Sequence, residues 1–384
     1  MLFDDNESSA EQNSKDSNAQ VFLPPIESKS VIGHDENQSI LLDAWNSSKL
    51  HHAWLFTGPK GIGKASLAHQ FARFVLAGGG DQGGLFSDDS AASAQTLALP
   101  DGHPVISRIK AGGHSDFFML EKGMINPSTN KVAENDIPVA LARKAIDFVR
   151  LTPAESDWRV ILVDAADDLN RNAANALLKV LEEPPARALF ILVSHSPGRL
   201  LPTIKSRCRK LTFKPLQEDV IIDRLTQAYP DLNNDDAHAI ARLAEGSMGK
   251  AVELVEHGGL DLFRMAISIL SQPRDLKLSK LHGLADTLSR KDARESYIVF
   301  RELIDWWLKR LLKILAGDHM PKPILAEEYM AIEACKSLMP LGKWLEANDK
   351  VTERLSQSDA PVNLDRRQVI IDAFLTLETL AKEG

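Results

Sequence analysis

The residues with the clearest chemical meaning lie at 58–65. There Gly58-Pro59-Lys60-Gly61-Ile62-Gly63-Lys64-Ala65 matches the phosphate-loop pattern G-x-x-x-x-G-K-S/T at every fixed position except the last. The backbone N–H groups of such a loop, and the helix it opens, cradle an anionic phosphate, and Lys64 adds a point charge. Ala65 has no hydroxyl to offer a magnesium ion. Ser66 is no substitute, because one step along a helix turns a side chain by about 100°. The loop therefore implies that ATP with magnesium is bound weakly or not at all, and is poorly hydrolysed.

A second run points to the same reaction. Val160-Ile161-Leu162-Val163-Asp164 reads as a strand ending in the carboxylate that holds magnesium through water in P-loop enzymes. The following position, where a water-polarising glutamate is expected, holds Ala165. Asp167 and Asp168 come next but fall outside that register. The metal hydroxyl and the water-orienting base are thus both absent, while Lys64 and Asp164 remain.

These residues need a scaffold, and the apolar pattern supplies one. Strands are expected at 53–57, 117–120, 159–163 and 189–194, with helices at 63–77, 138–151 and 171–182 between them. The last two strands are continuous apolar runs, typical of strands covered on both faces. Alternating strands and helices with a phosphate loop on an early strand predict a parallel sheet flanked by helices, with ligands at the carboxyl ends of the strands. Beyond Pro215 every pattern is helical. In the clearest of them Val299, Phe300, Leu303, Ile304, Trp307, Leu308, Leu311 and Leu315 form one stripe.

Composition narrows the class. The chain has 384 residues, 44% hydrophobic and 26% charged, with a net charge of -8, so any nucleic-acid contact must come from a local basic patch. Lys205, Arg209 and Lys210 form one such run. Two distant cysteines, Cys208 and Cys335, make neither a disulfide framework nor a zinc site, and no run suits a signal peptide or membrane span. A cytoplasmic protein with no membrane contact is expected. Residues 1–20 are polar and acidic and are read as a disordered tail, and the Gly/Ser/Ala-rich stretch 78–104 as a surface insertion that buries little.

The run Asn170-Arg171-Asn172-Ala173-Ala174-Asn175-Ala176-Leu177-Leu178-Lys179-Val180-Leu181-Glu182-Glu183-Pro184-Pro185, with Leu201-Pro202-Thr203-Ile204-Lys205-Ser206-Arg207-Cys208, resembles the clamp-loader branch of the AAA+ ATPases, as found in bacterial DNA polymerase III. The resemblance is specific over 31–215. It is weaker over the helical remainder, including Asn363-Leu364-Asp365-Arg366-Arg367. It implies an α/β AAA+ P-loop module over 21–215, a small helical lid over 216–272 and an all-α collar for oligomerisation over 273–384. The collar helices, with Trp306, Trp307 and Trp344 among their aromatic residues, are then expected to hold the subunit in its ring.

The same resemblance assigns roles. Val31 and Ile32, in Val31-Ile32-Gly33-His34, would lie over the adenine base; Gly58, Gly61, Gly63, Lys64 and Asp164 would form the phosphate site; and Ser194 would be the sensor at the end of the fourth strand. Arg207 matches the arginine finger given to a neighbouring subunit's nucleotide. Gly249 stands where the family's ATPase subunits carry a nucleotide-sensing arginine. Many relatives carry a four-cysteine zinc module after the P-loop helix. This chain has no cysteine there, only His103 and His114, so no zinc or other bound metal is expected.

The implied function is to help load the sliding clamp onto primed DNA, with a degraded ATPase site and a finger donated in trans. The implied partners are gamma/tau-type ATPase subunits, a delta-type subunit, the sliding clamp and primed DNA. The chain would then belong to the polymerase holoenzyme without being a polymerase, and would be at most a weak ATPase. Two alternatives stay open, a catalytically active gamma/tau-type ATPase of the same complex and a stand-alone P-loop phosphotransferase. The second leaves Ser206-Arg207-Cys208 unexplained.

Overall fold

The computed structural model describes residues 22–79, 93–319, 322–357 and 365–383. The expected tail at 1–20, and residues 80–92 of the insertion, lie outside them. The chain divides into two compact units at Gln217 and Glu218, with residues 246–249 belonging to the first.

In the first unit the elements run α1 (Asp35–Asn46), β1 (Ala53–Thr57), α2 (Lys64–Leu76), α3 (Pro104–Lys110), β2 (Phe117–Glu121), β3 (Ile125–Asn126), β4 (Lys131–Val132), α4 (Val139–Arg150), β5 (Arg159–Asp164), α5 (Arg171–Glu182), β6 (Ala188–Ser194), α6 (Pro202–Lys205) and β7 (Arg209–Thr212). Five strands form one sheet in the order β2-β5-β6-β1-β7, every pair parallel, and β3 with β4 makes a small antiparallel hairpin. A three-layer α/β sandwich results.

Alternation along the strands explains both helical layers. Ala53, Leu55, Ile161, Val163, Phe190 and Leu192 point into a core shared with α4 and α5. Trp54, Phe56, Val160, Leu162, Leu189 and Ile191 point the other way, into a core shared with α1 and α2. Because both faces are covered, these strands read as unbroken apolar runs. Register sets the functional end of the sheet, since Thr57 lies opposite both Ser194 and Thr212, and Asp164 lies opposite Val193 and Glu121. The four expected strands are all present. β7 was not expected, because only Leu211 of Arg209-Lys210-Leu211-Thr212 is buried, and an edge strand with charged side chains hides its pattern.

The insertion departs from expectation. Leu97 is wholly buried in the core beside α2, with Ala94 and Leu99 packed against the same cluster. Asn46 Nδ2 donates to Ala94 O at 2.9 Å and Asn46 Oδ1 accepts from Ala94 N at 2.9 Å, so a side-chain amide pairs with the backbone as a strand would. Residues 94–99 are therefore part of the fold, and a lone leucine in an Ala/Ser/Thr-rich run gave too weak a period to show it.

The described residues of the second unit hold helices and no strand. These are α7 (Glu218–Ala228), α8 (Asn234–Ala244), α9 (Met248–Glu256), α10 (Gly259–Leu270), α11 (Leu278–Leu288), α12 (Arg294–Leu315), α13 (Ala326–Lys336), α14 (Leu341–Ser356) and α15 (Arg366–Glu383), with the start of α9 in the first unit. Helices assigned from sequence to a lid and to a collar fall in this one unit. Arg274 ties the stretch between them to the chain end, donating from Nε to Ala381 O at 2.9 Å and from Nη2 to Leu338 O at 3.1 Å. Trp307 and Trp344 are fully buried within the unit and build its core. Trp306 lies beneath the Arg310 guanidinium.

Leu97→Ala is expected to destabilise the first unit by about 2–5 kcal/mol, the range for truncating a buried leucine. Denaturant unfolding followed by hydrogen exchange in β1 checks this, and a change within about 0.5 kcal/mol would show the insertion to be dispensable packing.

Candidate functional site

The phosphate loop leaves the carboxyl end of β1 and turns into α2. Gly58 has φ +152°, and a Cβ there would stand 2.6 Å from Phe213 O, so backbone packing alone demands glycine. Lys64 is 2% exposed and folded inward. Its ammonium donates to Gly58 O at 2.7 Å and also to Pro59 O. Burial lowers its pKa to about 8, against the pull of Asp164 and Asp167. The charge meant for a phosphate is here satisfied by its own loop.

Val31 and His34 lie against the same turn, each about 3.6 Å from where a Cβ on Gly63 would stand. A carbonyl only accepts, so it is His34 Nε2 that donates to Ile62 O, at 2.7 Å. Ile32, between them, is partly buried. The expected adenine-side segment and the phosphate loop are therefore brought together.

Asp164 ends β5 on the same side of the sheet. Burial raises its pKa, partly offset by Lys64, and Glu121, its register partner on β2, is raised by burial and by Asp164. No group of three potential metal-ligating side chains is assembled among the described residues. The loop suits an anionic phosphate, but with alanine at 65 and 165 the residues present do not make a catalytic magnesium site.

Two further groups close the site. Ser194, wholly buried at the end of β6, donates its hydroxyl to Asp167 Oδ1 at 2.9 Å. Asp167 also accepts from the N–H groups of His195 at 2.5 Å and Ser196 at 3.2 Å. The expected sensor is thus engaged by an internal carboxylate, a role for Asp167 that its sequence register did not suggest. Gly249 donates its N–H to Gly61 O at 2.8 Å, and a Cβ on Gly249 would come within 3.0 Å of Gly61 Cα. Any side chain at 249 needs the two backbones to part.

Arg207 is not part of this cluster. It lies just before β7, at the amino end of a parallel sheet, whereas the phosphate loop comes after the carboxyl end of β1. Strands of four and five residues, at about 3.3 Å per residue, place roughly 13 Å or more of sheet between them. Arg207 sits between two buried anchors, Ile204 and Cys208. Burial pushes the Cys208 thiol up to about 12, so it packs as a neutral side chain. The Arg207 guanidinium pairs with Glu182 at the end of α5, a partner that no local sequence pattern suggests.

A five-stranded parallel sheet in this order, with a phosphate loop after β1 and an acidic strand end two strands away, defines a P-loop module of the AAA+ class. The family model described as DNA polymerase III, delta subunit, matches residues 33–217, and this chain is similar to proteins named as delta-prime, gamma and tau subunits of DNA polymerase III.

Among its relatives, the delta-prime subunit of Pseudomonas aeruginosa is 36% identical over 196 residues, covering 51% of this chain and 53% of that protein. The gamma subunit of Buchnera aphidicola from Schizaphis graminum is 31% identical over 238 residues, covering 61% and 58%. The chain thus spans somewhat over half the length of these relatives. A gamma subunit-related protein of Thermotoga maritima superimposes over 89% of this chain and 99% of that one, with a TM-score of 0.39 and 16% identity. A RuvB variant from Thermotoga maritima covers 77% and 83%, with a TM-score of 0.41 and 16% identity. No described helix is long and apolar enough to cross a membrane.

Anion binding favours the ammonium form of Lys64. Any nucleotide affinity of the isolated chain is therefore expected to fall as pH rises through about 8, by up to about tenfold per pH unit above it. Titration calorimetry across that range checks this, with Lys64→Met expected to bind weakly and without that dependence. Affinity that is constant through pH 8 would show that Lys64 does not engage the phosphate.

Proposed function

We propose that the chain is a delta-prime-type subunit of a cytoplasmic DNA polymerase III clamp loader, with a degraded ATPase site of its own and an arginine finger for its neighbour. Its partners on this reading are gamma/tau-type ATPase subunits, a delta-type subunit, the sliding clamp and primed DNA. The observation that carries the reading is the placement of Arg207 at the opposite end of the sheet from its own phosphate loop. A guanidinium there is out of reach of its own nucleotide, so any nucleotide it serves belongs to a second subunit.

The degraded site is supported by what stands in place of the missing groups. Ala65 and Ala165 remove the metal hydroxyl and the base, Lys64 turns inward, Asp167 occupies Ser194, and Gly249 stands at backbone contact with Gly61 where an arginine is expected. A trans finger needs none of these. It stabilises charge that develops on the neighbour's transferred phosphoryl group, a contribution of about 10³ to 10⁵ in rate where it has been measured in other P-loop enzymes. The rival reading, a catalytic gamma/tau-type ATPase, predicts steady ATP turnover by the purified chain.

Arg207→Ala is expected to leave assembly intact and to slow DNA-stimulated ATP hydrolysis by the reconstituted loader by at least tenfold at the one site served, about 1.4 kcal/mol. The whole-complex loss is smaller, because other sites keep their own fingers. Lys205→Ala is the control and should only weaken DNA binding, in a salt-dependent way. If both variants reduce DNA affinity alike and neither changes hydrolysis at saturating DNA, Arg207 is a phosphate contact and the finger reading is wrong.

A further inference from the structure

The Arg207 guanidinium is already held. Nη2 lies 2.5 Å from Glu182 Oε1, and Nη1 donates to Thr203 O at 2.9 Å and Ser206 Oγ at 3.3 Å. Glu182 is the last residue of α5, where the partial negative charge at the helix carboxyl end disfavours a carboxylate. It is not placed there for the helix's sake. What offsets the misplaced charge is the cation beside it, and the two side chains come from elements that share one core, through Leu181, Ile204 and Cys208.

The pair is open to solvent, with 31% of the Arg207 side chain and 47% of the Glu182 side chain exposed. A guanidinium carries five N–H donors in a rigid plane. Two of them, on Nη1, go to Thr203 O and Ser206 Oγ, Nη2 faces the Glu182 carboxylate as an ion pair, and the solvent-open side of the group is where an anion can approach. An arginine ordered in this way loses less conformational freedom when it meets a phosphate than one that samples many rotamers.

We propose that Glu182 is a positioning residue for the finger. It holds the Arg207 guanidinium in one orientation at the amino end of the sheet, so that docking of a neighbouring subunit meets a pre-aimed cation. The inference rests on the reading of Arg207 as a trans finger, and the experiment separates the two.

The loader is reconstituted from full-length chains carrying Glu182→Ala, Glu182→Gln, Arg207→Ala or the Glu182→Ala/Arg207→Ala pair, and kcat and KM for ATP are measured at saturating DNA. Glu182→Ala is expected to lower kcat at the served site about two- to fivefold, the scale of a solvent-exposed ion pair, with KM unchanged. Glu182→Gln, which keeps an acceptor oxygen, should recover most of the loss. Adding Glu182→Ala to Arg207→Ala should change nothing further. An unchanged or raised kcat for Glu182→Ala while Arg207→Ala is slow overturns the positioning role and leaves the finger standing. An equal loss from Glu182→Ala in both backgrounds also overturns it, because the effect then runs through the fold. If Arg207→Ala itself has no effect, the finger reading fails, and the positioning role with it.

Discussion

The parallel pairing of β1 with β6 and β7 is the constraint on which everything else depends. Parallel strands share one direction, so the segments that leave β1 and β6 gather at one end of the sheet and the segment that enters β7 lies at the other. The phosphate loop and Ser194 belong to the first end, Arg207 to the second. No side-chain rotation exchanges them, because an arginine reaches only about half the distance that the intervening strand imposes. Two separate chemical ends on one rigid sheet are what a ring subunit needs if one face meets nucleotide and the other meets a neighbour.

At the carboxyl end, Lys64, Ser194 and the N–H groups that follow β6 are paired with acceptors of the protein itself. Lys64 is buried, and a buried ammonium must find acceptors or lose its proton; it finds Gly58 O and Pro59 O. Ser194 and two backbone N–H groups face Asp167, so a fixed carboxylate sits where β6 ends. Gly249 adds a hydrogen bond to Gly61 at backbone contact distance.

Much of this was legible in the sequence, and the parts that were not have common causes. The four apolar strands, the phosphate loop and the alanines at 65 and 165 are local patterns, readable within a few residues. β7 was not, since two of its four residues are charged and a single buried leucine carries no period. Leu97 was hidden the same way, inside a run of small residues that reads as low complexity although Asn46 and the α2 core fix part of it. The partners of Arg207 and Ser194 depend on distant segments that only the sheet brings together. Glu182 comes before β6 and Arg207 after it, and nothing in either local sequence points to the other.

Retention of the loop pattern is weak evidence for nucleotide use once its packing is considered. Gly58 is required by Phe213 O whether or not a phosphate is present, and Gly63 has φ +102°, a backbone conformation that favours glycine. Replacing Lys64 by an apolar residue would remove the donor that Gly58 O and Pro59 O share. Position 65 carries no such duty, since the hydroxyl of a serine or threonine there serves only the metal. The fold thus accounts for glycine at 58 and lysine at 64 without a bound nucleotide, and places no such demand on position 65.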